Sequence, residues 1–340
     1  MSSAMASKRA SGGERGVALL MAIVAVLLLS VVVLDTRAGV NLFEDIAYNA
    51  AYELQTEYIA RSGLALVQAA LEKDDTGVDS FSDDWAAANS AGTIPVADLG
   101  WVSGRVEDEE GKLNLNTLVN NDGETDGATA KAAGRLWSLL TSLGISESRA
   151  DEIVAGLTDW MDEDNIVLEN GAEDQYYSDL SVPYACPNER LRTVGELALV
   201  RGVGDALLNR GEGKIPPLRR FVTIYGGQNG KININTAPAE VLMALTPKGV
   251  EGVDYIIDRE LADEIVSVRS DAPFTTTNEL KERVADFHED LYNQVLTLID
   301  VNSSHFSAVI TGETERSSST AVGIFARQGK HVSLVYYRGF

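Results

Sequence analysis

Apolar and polar positions divide the chain into stretches of different period. Val17 to Leu34 is eighteen residues long with Ser30 as its only polar member. A helix of that length nearly spans a bilayer core, at the lower limit for a membrane-crossing segment. Lys8, Arg9 and Arg15 precede it and Asp35 ends it, so the basic side is expected in the cytoplasm and the rest of the chain beyond the membrane. A plain signal anchor also fits, as does a cleavable signal with Thr36-Arg37-Ala38 before Gly39, although the run is longer than an ordinary signal peptide's apolar region.

Beyond Asp35 the period stays helical. Phe43, Ile46, Ala47, Ala50, Leu54 and Tyr58 recur at three- and four-residue steps and are followed by Leu64, Val67 and Leu71. One helix from Val17 to about Leu71 is expected, with Gly39 and Gly63 as weak points and an apolar stripe seeking a sheet. Asp74 to Gly92 has the composition of a loop pinned by Phe81 and Trp85. Trp101 to Val106 alternates as a strand and Glu107 to Gly111 is a turn. Strand signals then dominate the tail, at Phe306 to Ile310, Ala321 to Ala326 and Val332 to Tyr337, and predict a meander.

Between them lies a repeat. Lys112-Leu113-Asn114-Leu115-Asn116-Thr117 returns as Lys231-Ile232-Asn233-Ile234-Asn235-Thr236. Each copy is followed by Ala-Asp-Glu-Ile-Val, at 150 to 154 and 262 to 266, and then by Glu-Leu, at 196 to 197 and 279 to 280. The preserved order predicts two related helical modules entered from strands, with Asn116 and Asn235 capping a helix or turn. The expected organisation is a leader at 1–16, a membrane helix at 17–34, helix and first strands at 35–116, modules at 117–217 and 218–300, and closing strands at 301–340. This is an α+β fold whose sheet is interrupted by inserted helices.

Composition narrows the partners. Among 340 residues the formal net charge is −23, which sets the chain against nucleic-acid phosphates. One cysteine, Cys186, forms no internal disulfide and is expected as a small buried residue. The histidines, His288, His305 and His331, are scattered, and no nucleophile elbow, phosphate loop or two-histidine zinc helix is present, so no enzyme is expected.

Between Asp151 and Asp179 stand ten carboxylates and no Lys or Arg. Such density needs solvent or a cation, and Ca²⁺, which takes six to eight oxygens in flexible geometry, suits it. No EF-hand is spelled out, so Asp159, Asp162, Asp164, Glu173 and Asp174 are taken as a ligand pool. A solvated acidic loop is the other reading. A second acidic turn, Asn120 to Gly127, offers oxygens at alternate positions.

Several short pieces, in order, resemble the minor pseudopilin K family of type II secretion, also called general secretion pathway protein K. They are Arg15-Gly16-Val17-Ala18-Leu19-Leu20, Glu107 to Asn116, Asp159-Trp160-Met161-Asp162-Glu163-Asp164, Val182-Pro183-Tyr184 with Asn188, Gly195-Glu196-Leu197 and Ile232 to Pro238. The resemblance implies a pilin-like antiparallel sheet with inserted SAM-like or helix-hairpin-helix-like modules. It further implies cleavage by prepilin peptidase after Gly16, N-methylation of Val17, a single pass through the bacterial inner membrane, and a periplasmic domain that binds calcium. Position five of the mature chain is Met21, where most pilin-like subunits carry Glu; by resemblance this subunit caps the pseudopilus tip with the minor pseudopilins I and J.

The second module also resembles a helix-hairpin-helix DNA-binding unit of competence proteins. Its hairpin place, Thr246 to Asp254, is extended and acidic, which favours protein packing over phosphate contact.

Overall fold

An apolar run followed by an amphipathic one, with no proline, gives the backbone no reason to break. In the computed structural model, which describes residues 12–227 and 229–340, it forms one helix, α1 (Gly12–Lys73). Residues 1–11 of the expected leader lie outside the described residues. Val17 to Leu34 is fully exposed and long and apolar enough to cross a membrane.

Among the described residues, α1 meets the rest of the chain from about Tyr52 onward. Ala60, Leu64, Val67 and Leu71 are buried, whereas Phe43, Ile46, Leu54 and Tyr58 remain exposed, so the stripe seen in the sequence is covered along half its length. Gly63 is no weak point in α1; it is a contact. A Cβ there would lie 2.5 Å from Ile310 Cγ2, and one on Gly312 would lie 2.3 Å from Thr56 O, so glycines on both sides let helix and sheet backbones close up.

The sheet beneath α1 has five antiparallel strands in the order β1-β2-β7-β8-β9. Their ranges are β1 (Ile94–Val96), β2 (Gly100–Asp108), β7 (His305–Glu313), β8 (Ser318–Gln328) and β9 (His331–Gly339). Phe306, Ala308 and Ile310 alternate inward on β7 and meet Leu64, Leu71 and Trp85 in one core. Each fully buried leucine there stabilises by about 2 kcal/mol. β2 pairs with β7 from Trp101↔Glu313 to Asp108↔Phe306, although most of the chain lies between them.

That intervening chain starts with β3 (Leu113–Asn114) and β5 (Ile232–Asn233), the two copies of the repeated phrase. β3 pairs in parallel with β4 (Val222–Thr223), and β5 with β6 (Ile299–Asp300). Each module is thus shut where it began by a two-residue parallel bridge, shorter than the strands expected. The principal helices between are α3 (Gly127–Ser142), α4 (Glu147–Met161), α5 (Asp174–Ser178), α6 (Ala239–Ala244) and α7 (Arg259–Asp271); α2 (Ala88–Ala91) lies earlier, beside β2. The Ala-Asp-Glu-Ile-Val copies fall on α4 and α7 and bury the same positions, Ala150 and Ile153, then Ala262 and Ile265. The modules share one hydrophobic core running from Leu113 to Val301 and distinct from that of the sheet.

The repeated asparagines divide their work in the same way in both copies. Asn114 and Asn233 accept from the backbone N–H of Asn116 and Asn235, two residues on. Asn116 and Asn235 do not cap helices; each grips one distant residue by both backbone groups. Asn116 accepts from Leu191 N at 3.0 Å and donates to Leu191 O at 3.1 Å, and its Nδ2 also reaches Ile224 O at 3.3 Å. Asn235 accepts from Phe274 N at 2.8 Å and donates to Phe274 O at 2.9 Å. Five residues beyond each gripped residue stands the glutamate of the Glu-Leu pair, Glu196 or Glu279, accepting from Thr193 N or Thr275 N.

A buried polar joint ties modules to sheet at the end of α1. Asp108 Oδ2, at the end of β2, accepts from Thr236 Oγ1 at 2.6 Å, Ser303 Oγ at 2.7 Å and Asn233 Nδ2 at 3.0 Å. Burial pushes the Asp108 carboxyl up to about 6. Arg327 of β8 bonds to Asp74, Asp79 and Ser303 O from the sheet side.

Candidate metal centre

The acidic segment is placed by an aromatic one. Ile153, Leu157, Trp160 and Met161 are the large apolar side chains buried in α4's last turns, and Trp160 stands edge-on to Tyr177 of α5 at 4.9 Å, with Tyr184 stacked on Tyr177 at 5.4 Å. Seating those rings carries Asp159 inward and leaves Asp162 as the residue where α4 ends in extended backbone. The chain returns through 163–172 so that Glu173 precedes α5, where its side chain makes no cap bond. Gly171 allows the return, because a Cβ there would stand 2.1 Å from Asp159 Oδ2.

Asp162, Asp164 and Glu173 bring carboxylate oxygens within 4.8 Å of one another. Asp162 and Glu173 are buried and Asp164 is exposed. Asp159 lies behind them, fully buried, and accepts from Leu168 N at 3.2 Å. Asp174 faces away: it is exposed and accepts from Cys186 N at 3.1 Å. Three of the five expected residues therefore converge, one braces the loop, and one turns outward. Cys186 is half-buried, its Sγ 3.7 Å from Asp159 O, and burial pushes its thiol up to about 12.

The electrostatics are those of a carboxylate cluster lacking its counter-charge. Burial, then Asp164 and Asp159, push Asp162 up to about 7. Burial, then Asp159, Asp162 and Asp164, do the same to Glu173. Arg201 is committed elsewhere, to Glu152 at 2.6 Å and Gly171 O at 2.8 Å. Asp162 Oδ1 and both oxygens of Glu173 are buried without a hydrogen-bond partner.

Asn188, which the sequence reading did not place in the ligand pool, is tied to the backbone of Asp164. Its Nδ2 donates to Asp164 O at 2.6 Å while its Oδ1 is buried and unpartnered. Its backbone has φ 47°, a conformation asparagine tolerates better than most residues. The second acidic turn packs alongside, Glu163 N donating to Gly123 O at 3.1 Å.

Oxygens bound to one Ca²⁺ at 2.3 to 2.6 Å lie at most about 5 Å apart. The spacing of the three carboxylates, their hard donors and the orphaned oxygens all fit that ion. Asp162, Asp164 and Glu173 would hold it, with Asn188 at hand.

Taken together, the fold defines an α+β protein in which a long apolar helix continues onto an antiparallel sheet interrupted by a two-part helical insertion. Family models described as "Type II secretion system (T2SS), protein K" match residues 111–226 and 232–286. Type II secretion system protein K of Aeromonas hydrophila is 28% identical over 298 residues, covering 84% of each chain. That of Klebsiella pneumoniae is 29% identical over 244 residues, covering 69% of this chain and 71% of the relative. The crystal structure of the GspK-GspI-GspJ complex from enterotoxigenic Escherichia coli contains a similar fold, with a TM-score of 0.62 at 22% identity over 90% of this chain and 99% of that one. The chain belongs to the type II secretion system protein K family.

Proposed function

We propose that this chain is a minor pseudopilin that caps the tip of the periplasmic pseudopilus by packing against the minor pseudopilins I and J. The observation that carries the reading is where the insertion sits. Gly100 of β2 lies against Ile59 and Gly312 of β7 against Thr56, while Ser303 and Asn233, both bonded to Asp108, donate to Asp79 in the segment beyond the helix. β2 therefore runs along α1 away from the apolar Val17 to Leu34 stretch and β7 runs back toward it, so the modules leave and rejoin the sheet at the far end. A subunit anchored in the inner membrane by that stretch carries its bulk on the side where a following subunit would stack.

The uncovered Phe43, Ile46, Leu54 and Tyr58 supply an apolar face for neighbouring helices. Met21 supports a terminal position as well, because a helix without a carboxylate there offers no partner to a neighbour's buried amine. In this reading prepilin peptidase cuts between Gly16 and Val17, Val17 is N-methylated, and the SAM-like modules serve packing. Ca²⁺ held by Asp162, Asp164 and Glu173 stiffens the first module, a role supported by the orphaned oxygens.

Two measurements test this. The mass and N-terminal sequence of chain extracted from its native membrane should begin at N-methylated Val17; a start at Met1 or Gly39 would refute pseudopilin processing. Chain co-expressed with pseudopilins I and J should purify with both; no association with either partner would sink the tip assignment.

A further inference from the structure

The loop that follows α1 holds a second group of carboxylates far from the acidic segment in sequence. Oxygens of Asp74, Asp79 and Asp83 come within 4.8 Å of one another. Asp79 is fully buried and the other two are half-buried. Arg327 reaches this group from β8, with Nη1 3.1 Å from Asp74 Oδ2 and Nη2 on Asp79 Oδ2, which also accepts from Ser303 N at 2.7 Å. Asp83 accepts from Ser80 N at 2.6 Å.

Three carboxylates against one guanidinium leave about two negative charges uncompensated in a largely dry place, a costly arrangement. The second observation is Asp79 Oδ1, which is buried and has no hydrogen-bond partner. A cation satisfies the orphaned oxygen and the residual charge together.

We infer that Asp74, Asp79 and Asp83 form a divalent-cation site of the hard, oxygen-ligated class, taking Ca²⁺ where the end of α1 meets the joint between sheet and modules. Arg327 holds the Oδ2 edge of Asp79 and leaves Oδ1 to the ion. Its occupancy would lock the loop to β8 and to Ser303, and so fix how the modules stand on the helix. The site does not depend on the centre at Asp162, Asp164 and Glu173.

The test uses the full chain in detergent micelles, stripped with EGTA and titrated with Ca²⁺ by calorimetry. The double variant Asp162→Asn/Glu173→Gln should still bind one ion, and adding Asp83→Asn should weaken that binding about tenfold or more. Asp83→Asn leaves the Arg327 pairs intact, so loss of binding is separable from loss of folding, which circular dichroism checks. A double variant that binds no Ca²⁺, or one whose binding Asp83→Asn does not touch, overturns the site while sparing the other centre. An ion kept by the double variant as tightly as by the unaltered chain, with no second ion in either, supports this site and removes the other. No binding by any of the proteins removes both.

Discussion

Asn235 offers the sharpest test of how the modules are closed. The side chain is 2% exposed and spans the backbone of Phe274, itself fully buried, with bonds of 2.8 and 2.9 Å. Asn235→Ala removes both partners at once and leaves a buried N–H and a buried C=O unpaired. At roughly 1–3 kcal/mol for each, the expected loss is about 2–6 kcal/mol. Asn116→Ala is the internal control. Its bonds to Leu191 are 3.0 and 3.1 Å, with a third to Ile224 O at 3.3 Å, and the side chain is half-buried, so water replaces part of them and the loss should be about 1–2 kcal/mol. Urea unfolding of the full chain in detergent, followed by tryptophan fluorescence, gives the stabilities, and hydrogen exchange at the Phe274 amide reports the grip directly. Asn235→Asp should not rescue, because its second oxygen would face Phe274 O. If Asn235→Ala costs no more than Asn116→Ala and the Phe274 amide stays protected, the grip is incidental and module closure rests on the hydrophobic core alone.

Two further outcomes follow from the geometry. Asp162 and Glu173 have folded-state pKa values of about 7, above their ordinary 3.8 and 4.5, so in metal-free protein their contribution to stability is intact below pH ~4 and is lost as pH rises through about 7. The melting temperature of the stripped chain should fall across that window, and Ca²⁺ at a hundred times its Kd should restore about 2.7 kcal/mol at neutral pH; a flat profile without calcium would contradict the assignment of these two carboxyls. Gly312→Ala would put a Cβ 2.3 Å from Thr56 O and 2.9 Å from Ala60 N, backbone atoms of α1 that cannot step aside cheaply. A destabilisation of about 1–3 kcal/mol, with faster proteolysis in residues 54–72, is expected, and unchanged proteolysis would mean that α1 does not lie on β7.

Much of this architecture is legible from residue patterns, because its elements are long and strongly periodic. Val17 to Leu71 has one helical period and becomes one helix; Phe306 to Ile310, Ala321 to Ala326 and Val332 to Tyr337 alternate and become the paired strands β7, β8 and β9. The repeated Leu-Asn and Ile-Asn phrases announce the duplication but not its geometry. Two residues of each phrase form a bridge and the next two turn, since the asparagines bond to residues far along the chain that no local period can point to. The acidic pool shows why composition stops at the segment: whether Asp174 joins the cluster or turns away depends on how Trp160, Tyr177 and Tyr184 stack. Asp74, Asp79 and Asp83 fall in a stretch whose composition reads only as loop, and Arg327, which lends them meaning, lies some 250 residues away.

The pairing of Asp108 with Phe306 also sets a timetable for a chain that is made from its N-terminus. Closing contacts about 200 residues apart carries a large entropic cost, and here the intervening modules have a core of their own that does not need the sheet. They are placed to condense first, drawing Asp108 and Ser303 together as a by-product. Until β7, β8 and β9 arrive, the buried face of α1 has only the β1–β2 hairpin and the Trp85 loop for cover, so Leu64, Val67 and Leu71 stay open to other apolar surfaces. The latest strands to emerge thus decide when this subunit stops being a sticky stalk and becomes a finished building block.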